Sequence, residues 1–310
     1  MTAVDYLGLV ISALLLAGIY AAMAVGMTVI YGVMKIVNLA HAGFLMLGAY
    51  FAYEMYDRFH IDPILGAIAS LPVFFLFGML VHVTLVRWLP KSDTPSLPSL
   101  LLMFGLWQVL QNVGYLIWGN TAYSIFTPRS LSSLHLGQIS VPKDKLIVFV
   151  AAVASLILLQ LVFNRSWFGR SVRALIQNPY AAEIVGVDDE RTSRLSFGVG
   201  TAFAGFAGSL LGMLYPFTPD FGPPFLLRSF VIIVLGGLES VSGVALGALV
   251  LAVLETFSIN VPLPWYWHGW RFSYLPASFQ PAVSFVLLVV VLLVLPKGIA
   301  GLLEKKWRVA

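Results

Sequence analysis

Polar side chains able to hold a small molecule are scarce in this 310-residue sequence, and they gather in three short runs. The first is Tyr31-Gly32-Val33-Met34-Lys35-Ile36-Val37-Asn38-Leu39-Ala40-His41-Ala42-Gly43. Asn38 stands just ahead of an apolar run, where its side chain is placed to cap a helix by accepting from backbone N–H groups that lipid cannot satisfy. His41 then falls on the first turn of that helix. Two readings stand. Either Asn38 caps and His41 bonds a neighbouring helix, or Asn38, His41 and Gly43 line a substrate path, as polar groups retained in membranes often do.

The second run, Gly236-Gly237-Leu238-Glu239-Ser240-Val241-Ser242-Gly243, interrupts an apolar stretch. A helix starting near Ser240 would aim its positive N-terminus into the membrane interior, where an anionic group is held well. The Glu239 carboxylate opposes that unless it is protonated, paired or turned away. Substrate contact by Gly236, Gly237, Glu239 and Ser240 therefore stands beside a hinge or a cap.

The third run extends from Gly169 to Val187 and includes Arg173, Asn178, Pro179, Ala181, Ala182, Glu183 and Gly186. Ala174 to Gln177 finishes one short helix, Asn178 caps a second that has Pro179 at its N1 position, and Gly186 ends it. A short helix with small Ala181 and Ala182 faces suits docking into a partner's cleft, and a solvated loop fits as well. Catalytic chemistry is not indicated. There is no GxxxxGK[ST] phosphate loop, no GxSxG nucleophile and no series of mid-span carboxylates for an ion relay. The histidines lack HExxH spacing and cysteine is absent, so no metal site is expected. Any energy must come from another subunit.

The elements that position these runs follow from composition. The chain is 59% hydrophobic and 10% charged, with mean hydropathy +0.91, whereas soluble domains carry about 25% charged residues. A helix crosses the bilayer with about 20 apolar residues, so the chain accommodates about eight spans in a single transmembrane domain over 1–310. Ala22-Met23-Ala24 imitates a leader cleavage site, but Asp5 precedes it and the apolar run continues to Tyr31, so a first transmembrane helix is expected instead. The expected spans are Tyr6 to Gly32, Leu39 to Tyr56, Ile64 to Val86, Leu97 to Trp118, Lys145 to Phe163, Leu195 to Tyr215, a double segment Phe225 to Phe257, and Ala282 to Leu295. Helices are the spanning form, because these runs show no period-2 alternation.

Orientation follows from lysine and arginine. Arg165, Arg170, Arg173, Arg191 and Arg194 in the 164–194 segment, Arg87 with Lys91, and Lys297, Lys305, Lys306 and Arg308 are expected on the cytoplasmic side, which puts the N-terminus outside and the C-terminus inside. Lys143 and Lys145 fall outside and are outnumbered. The basic residues flank apolar segments, so lipid is their counterpart and no nucleic acid is implied. Parity makes Phe225 to Phe257 a broken or re-entrant hairpin entering from outside, turning near Gly236–Gly243. Its arms of about 11 and 15–17 residues reach roughly 16 and 25 Å. The aromatic stretch Ile259 to Pro281, with Trp265, Tyr266, Trp267, Trp270, Phe272, Tyr274 and Phe279, reads as an interfacial belt. Gly198, Gly200, Gly205, Gly208 and Gly212, and then Gly243 and Gly247, have the spacing of closely packed membrane helices.

Three motifs in order make the chain resemble the permease subunits of ABC importers for branched-chain amino acids, the Liv type, whose relatives include urea and amide permeases. They are Gly26-Met27-Thr28-Val29-Ile30-Tyr31-Gly32 leading to Val37-Asn38-Leu39-Ala40-His41 and Leu47-Gly48-Ala49-Tyr50; Ala174 to Gly186; and Val234-Leu235-Gly236-Gly237-Leu238 with Gly243, Gly247 and Glu255. The resemblance implies an ATPase-coupling role for Ala174 to Gly186, a second permease that is identical or a paralogue, two cytoplasmic ATPase subunits that bind ATP and Mg, and a periplasmic substrate-binding protein. It also implies a bacterial inner-membrane location, no cofactor in this chain, and hydrophobic amino acids as cargo. Urea, amide or small-carboxylate import is the alternative, and a self-sufficient channel or secondary transporter is the reading from a different class. The family usually carries Gly-Glu after the histidine where this chain has Ala42-Gly43, so an amino group loses one acidic partner there.

Overall fold

Backbone groups removed from water must bond within their own segment, and the long apolar runs accordingly form helices. The computed structural model describes residues 3–90, 97–130, 132–137, 139–238, 240–260, 265–267, 270–272, 279–294 and 298–299. In chain order the elements are α1 (Ala3–Met34), α2 (His41–Phe59), α3 (Pro63–Thr84), α4 (Leu97–Trp118), β1 (Ser133–Leu136), β2 (Ile139–Pro142), α5 (Lys143–Arg165), α6 (Trp167–Gln177), α7 (Pro179–Ile184), α8 (Asp189–Gly212), α9 (Gly222–Gly236), α10 (Val241–Asn260), β3 (Trp265–Trp267), β4 (Trp270–Phe272) and α11 (Gln280–Val294). The protein is an all-α polytopic membrane bundle. Helices α1, α3, α4, α5, α8 and α10 are long and apolar enough to cross a membrane, and α9 and α11 are shorter apolar helices. The total is roughly consistent with about eight membrane segments, although α2, expected to span as Leu39 to Tyr56, is not among the helices long and apolar enough to cross. Glu239, Lys91, Tyr274, Lys297, Lys305, Lys306 and Arg308 lie outside the described residues.

Side-chain caps set several helix starts. Asp62 accepts from Ile64 N–H at 3.0 Å ahead of Pro63, which opens α3. Asp188 accepts from Arg191 N–H at 2.9 Å, so α8 begins at Asp189, earlier than the hydropathy break at Leu195. The acidic Asp189 and Glu190 in its first turn also suit the positive end of the helix.

Helix α8 occupies the centre. It is almost wholly buried and packs against α1, α2 and α3, whereas α4 is mostly exposed. Glycines make the close approach possible. A Cβ on Gly26 would strike the Gly200 carbonyl oxygen, one on Gly48 the Gly205 carbonyl, and one on Gly208 the Leu45 carbonyl. The α9–α10 pair shows the same contact between Gly236 and Gly243, and Gly247 abuts Ile232. These glycines therefore pack helices, as their spacing indicates.

Two non-helical segments break the bundle, and the helices that follow them start against each other inside it. Helix α1 stops where Lys35 adopts a left-handed φ of 54°. Residues 35–40 then climb back along α1, because His41 Nε2 lies 3.1 Å from the Met23 carbonyl oxygen. Between Met23 and Met34, α1 covers about 16 Å, a rise that six extended residues can match at about 3.3 Å each. Helix α2 thus starts at the depth of Met23. The second break, residues 213–221, pairs Phe217 with Tyr123 through two 2.9 Å backbone hydrogen bonds. It then brings Gly222 against the backbone of Ala42, so α9 also begins within the bundle.

Candidate functional site

The unwound 35–40 segment and the first turn of α2 carry two of the buried polar side chains among the described residues. Asn38 and His41 are fully buried, and neither the amide oxygen nor the amide nitrogen of Asn38 has a partner. The expected capping by Asn38 is corrected here: the residue at the cap position is Ala40, in helical conformation and without a side-chain bond. The turn is closed by backbone instead, with His41 N–H donating to the Asn38 carbonyl at 3.2 Å. His41 does bond a neighbouring helix, at Met23 of α1, and its Nδ1 has no partner. Gly43 faces Leu110 of α4 so closely that a Cβ would come within 2.8 Å of it, which makes it a packing residue.

The turn between α9 and α10 is built mainly by backbone. Gly237 has φ 102°, and Ser240 N–H donates to the Gly237 carbonyl at 3.0 Å. Ser240 Oγ accepts from Gly243 N–H at 3.0 Å, so Ser240 caps α10. Glu255 of α10 pairs with Tyr20 of α1, and the 14 residues from Val241 to Glu255, like those from Tyr20 to Met34, cover about 21 Å. The start of α10 is therefore near the level where α1 ends.

Sequence reasoning missed a buried ionic cluster in the membrane. Arg228 Nε donates to Glu255 Oε1 at 3.0 Å, with Glu255 fully buried. The same carboxylate accepts from Tyr20 at 2.6 Å, Gln280 at 3.0 Å and Ser284 at 2.5 Å. Helices α1, α9 and α11 are thereby tied to α10. The available signal was one charge inside each of two apolar runs, which a membrane tolerates only when they are paired or functional.

A family model described as branched-chain amino acid transport system / permease component matches residues 9–295. The chain belongs to this permease family. The permease is 28% identical over 305 residues to the high-affinity branched-chain amino acid transport system permease protein LivH of Salmonella typhimurium, with 92% of each chain covered. It is 28% identical over 309 residues to BraD of Pseudomonas aeruginosa, a protein with the same description, with 96% of each covered. It is also 25% identical over 270 residues to the permease protein LivM of Escherichia coli, covering 76% of this chain and 60% of LivM. No solved structure matches.

Beyond its spans, the permease carries α6 and α7 as the third run predicts. Asn178 Oδ1 accepts from Ala181 N–H at 3.0 Å, Pro179 opens α7, and Gly186 takes φ +88° just past its end. Arg173 donates to the Phe163 carbonyl at 2.6 Å and fixes α6 to the end of α5. One part of the expectation is corrected: Ala182 is only 2% exposed, turned into the protein, so the Ala181–Ala182 pair is not a shared outer face. The outer surface of this helix and its end is made by Tyr180, Ile184 and Val185, which are 72%, 85% and 78% exposed, together with exposed Ala181 and Glu183. A cavity of about 460 Å³, lined by Pro179, Tyr180 and Glu183 on one side and Val33 to Ile36 on the other, separates α7 from the unwound segment.

Proposed function

We propose that this permease works as a single transmembrane domain in a bacterial inner membrane, paired with a second permease. In this reading two cytoplasmic ATPase subunits, which bind ATP and Mg, drive it, and a periplasmic binding protein supplies branched-chain or other hydrophobic amino acids for inward movement. The chain itself makes and breaks no bond. LivH and BraD carry that cargo in their descriptions, and the likeness to both LivH and LivM supports a paralogous partner. Arg165, Arg170 and Arg173 gather at the α6–α7 end, which supports a cytoplasmic position for it and an outward N-terminus.

The observation that carries the reading is the apolar outer surface of α7 and its end. Tyr180, Ile184 and Val185 protrude into water from a capped helix of six residues, a surface that another subunit would cover. Closure of the ATPase pair would move α7, and α7 faces residues 33–36 across the cavity that leads to the segment holding Asn38. ATP binding would then bias the bundle between outward- and inward-facing states through contacts that differ in the two. Asn38 and His41 are the groups of the path in this scheme.

Ile184→Asp tests it. Losing the burial of one such side chain removes about 1.5–3 kcal/mol, which weakens the interface roughly 10- to 100-fold. Purified complex is expected to shed ATPase subunits or lose substrate-stimulated hydrolysis, while the thermal midpoint of the membrane bundle holds. Undiminished ATP-dependent uptake by the variant, or uptake by this chain in vesicles lacking ATPase and ATP, would sink the assignment.

A further inference from the structure

We propose that Asp220 is a subsite for the protonated amine of the cargo; this rests on the importer reading above. Helix α4 carries Gln108, Gln111, Asn112 and Tyr115 at the three- and four-residue spacing of one helix face. Its other outward residues at this level, Val109, Val113, Leu116 and Ile117, are exposed and apolar. Lipid covers the second set well and the first set badly, because amides and phenols prefer water or a polar partner. The polar face therefore borders a wet space.

Asp220 closes that face. Its Oδ1 accepts from Gln111 Nε2 at 2.6 Å and its Oδ2 accepts from the Tyr115 hydroxyl. The 213–221 segment holds it there, with Pro219 against Gly114 of α4 and Gly222 against Ala42 of α2. Gln111 lies about 10 Å along the helix from Trp118, the last residue of α4, so the carboxylate sits inside the mouth of the bundle. It is exposed there.

An independent observation points the same way. The Tyr50 hydroxyl is fully buried and has no hydrogen-bond partner, and its ring packs on Phe217 of the same 213–221 segment with centroids 5.0 Å apart. Its ring stacks on Trp118 with centroids 4.1 Å apart. Both donors are neutral and leave the carboxylate with acceptor positions unfilled, which suits a cation that brings N–H donors. An anion is disfavoured by that carboxylate, and Pro223 and Pro224 remove N–H donors that the start of α9 would otherwise offer it.

The sequence has no cysteine, so Asn112→Cys puts a single thiol of this chain on the polar face. The assembled complex in membrane vesicles is treated with cationic aminoethyl and anionic sulfonatoethyl methanethiosulfonates, with rates normalised to a free thiol. The cationic reagent is expected to react about tenfold faster, as charge focusing in a cleft provides. Adding Asp220→Asn should bring the ratio to about one, and adding Tyr115→Phe, which keeps the charge, should preserve it. Leucine uptake by Asp220→Asn should show a raised KM at normal complex yield. No labelling by either reagent, a ratio unmoved by Asp220→Asn, an unchanged KM, or equal loss of the ratio with Tyr115→Phe would each overturn the proposal. Uptake that proceeds without ATP would instead remove the importer reading and leave the labelling ratio standing.

Discussion

Asn38 and Glu255 are both fully buried polar residues, and the structure gives them opposite circumstances. Glu255 accepts from Tyr20, Arg228, Gln280 and Ser284, so its burial is compensated and its effect is to join helices. The Asn38 amide has no partner at either atom, and an unsatisfied buried amide is a cost that folding alone does not explain. Asn38→Leu is therefore expected to leave the thermal midpoint of the purified complex unchanged or raised while uptake is lost; a large drop in midpoint with proportionate residual uptake would assign Asn38 to packing. The residue types of this region were legible in the sequence, since an asparagine and a histidine at an apolar boundary stand out. The bond each makes was not, because His41 reaches Met23 only after the chain doubles back. Arg228 and Glu255, 27 residues apart, were likewise visible singly and not as a pair.

Helix identities and several of their ends were written locally. Asn178, Pro179 and Gly186 bound α7 as their chemistry requires, and Asp62 with Pro63 opens α3. Glycines at every third or fourth position announced close approach, but which helix approaches which depends on the assembled bundle. Gly48 meets Gly205, and Gly208 meets Leu45, so α2 lies on α8 almost backbone to backbone. Gly48→Ala is expected to force the pair apart at a cost of about 1–3 kcal/mol, read as a lowered thermal midpoint in detergent. Gly105→Ala, on α4 with nothing within 4 Å of the new methyl, should change stability by no more than about 1 kcal/mol and in the stabilising direction. Equal effects from the two would refute the close-packing account. Ala182 illustrates the limit of local reading: a small residue on a short helix suits an outer contact or an inner one, and its neighbours put it inside.

At the scale of the whole molecule, two ends are distinct. One carries α6, α7 and the start of α8, with Arg87 of the α3 end 3.9 Å from Glu190. The other carries the Asp62–Arg129 ion pair and the β1–β2 hairpin. Single cysteines at the exposed positions Gln177 and Thr121 should be labelled by an impermeant thiol reagent from opposite sides of the membrane, Gln177 from the cytoplasm and Thr121 from outside; the reverse pattern would invert the orientation. The sequence by itself determined that the protein lives in a bilayer, where its helices lie and which end is basic, because those properties depend on composition and on residues within a turn or two of each other. Only the tertiary structure decided that the starts of α2 and α9 meet at Ala42 and Gly222, that Arg228 finds Glu255, and that Asp220 faces Gln111 and Tyr115. Each of these joins residues from different helices. Hydropathy reports how well a segment suits lipid and carries no information about which segment stands beside it; that choice is made by backbone approach at glycines and by the need of each buried polar group for a partner.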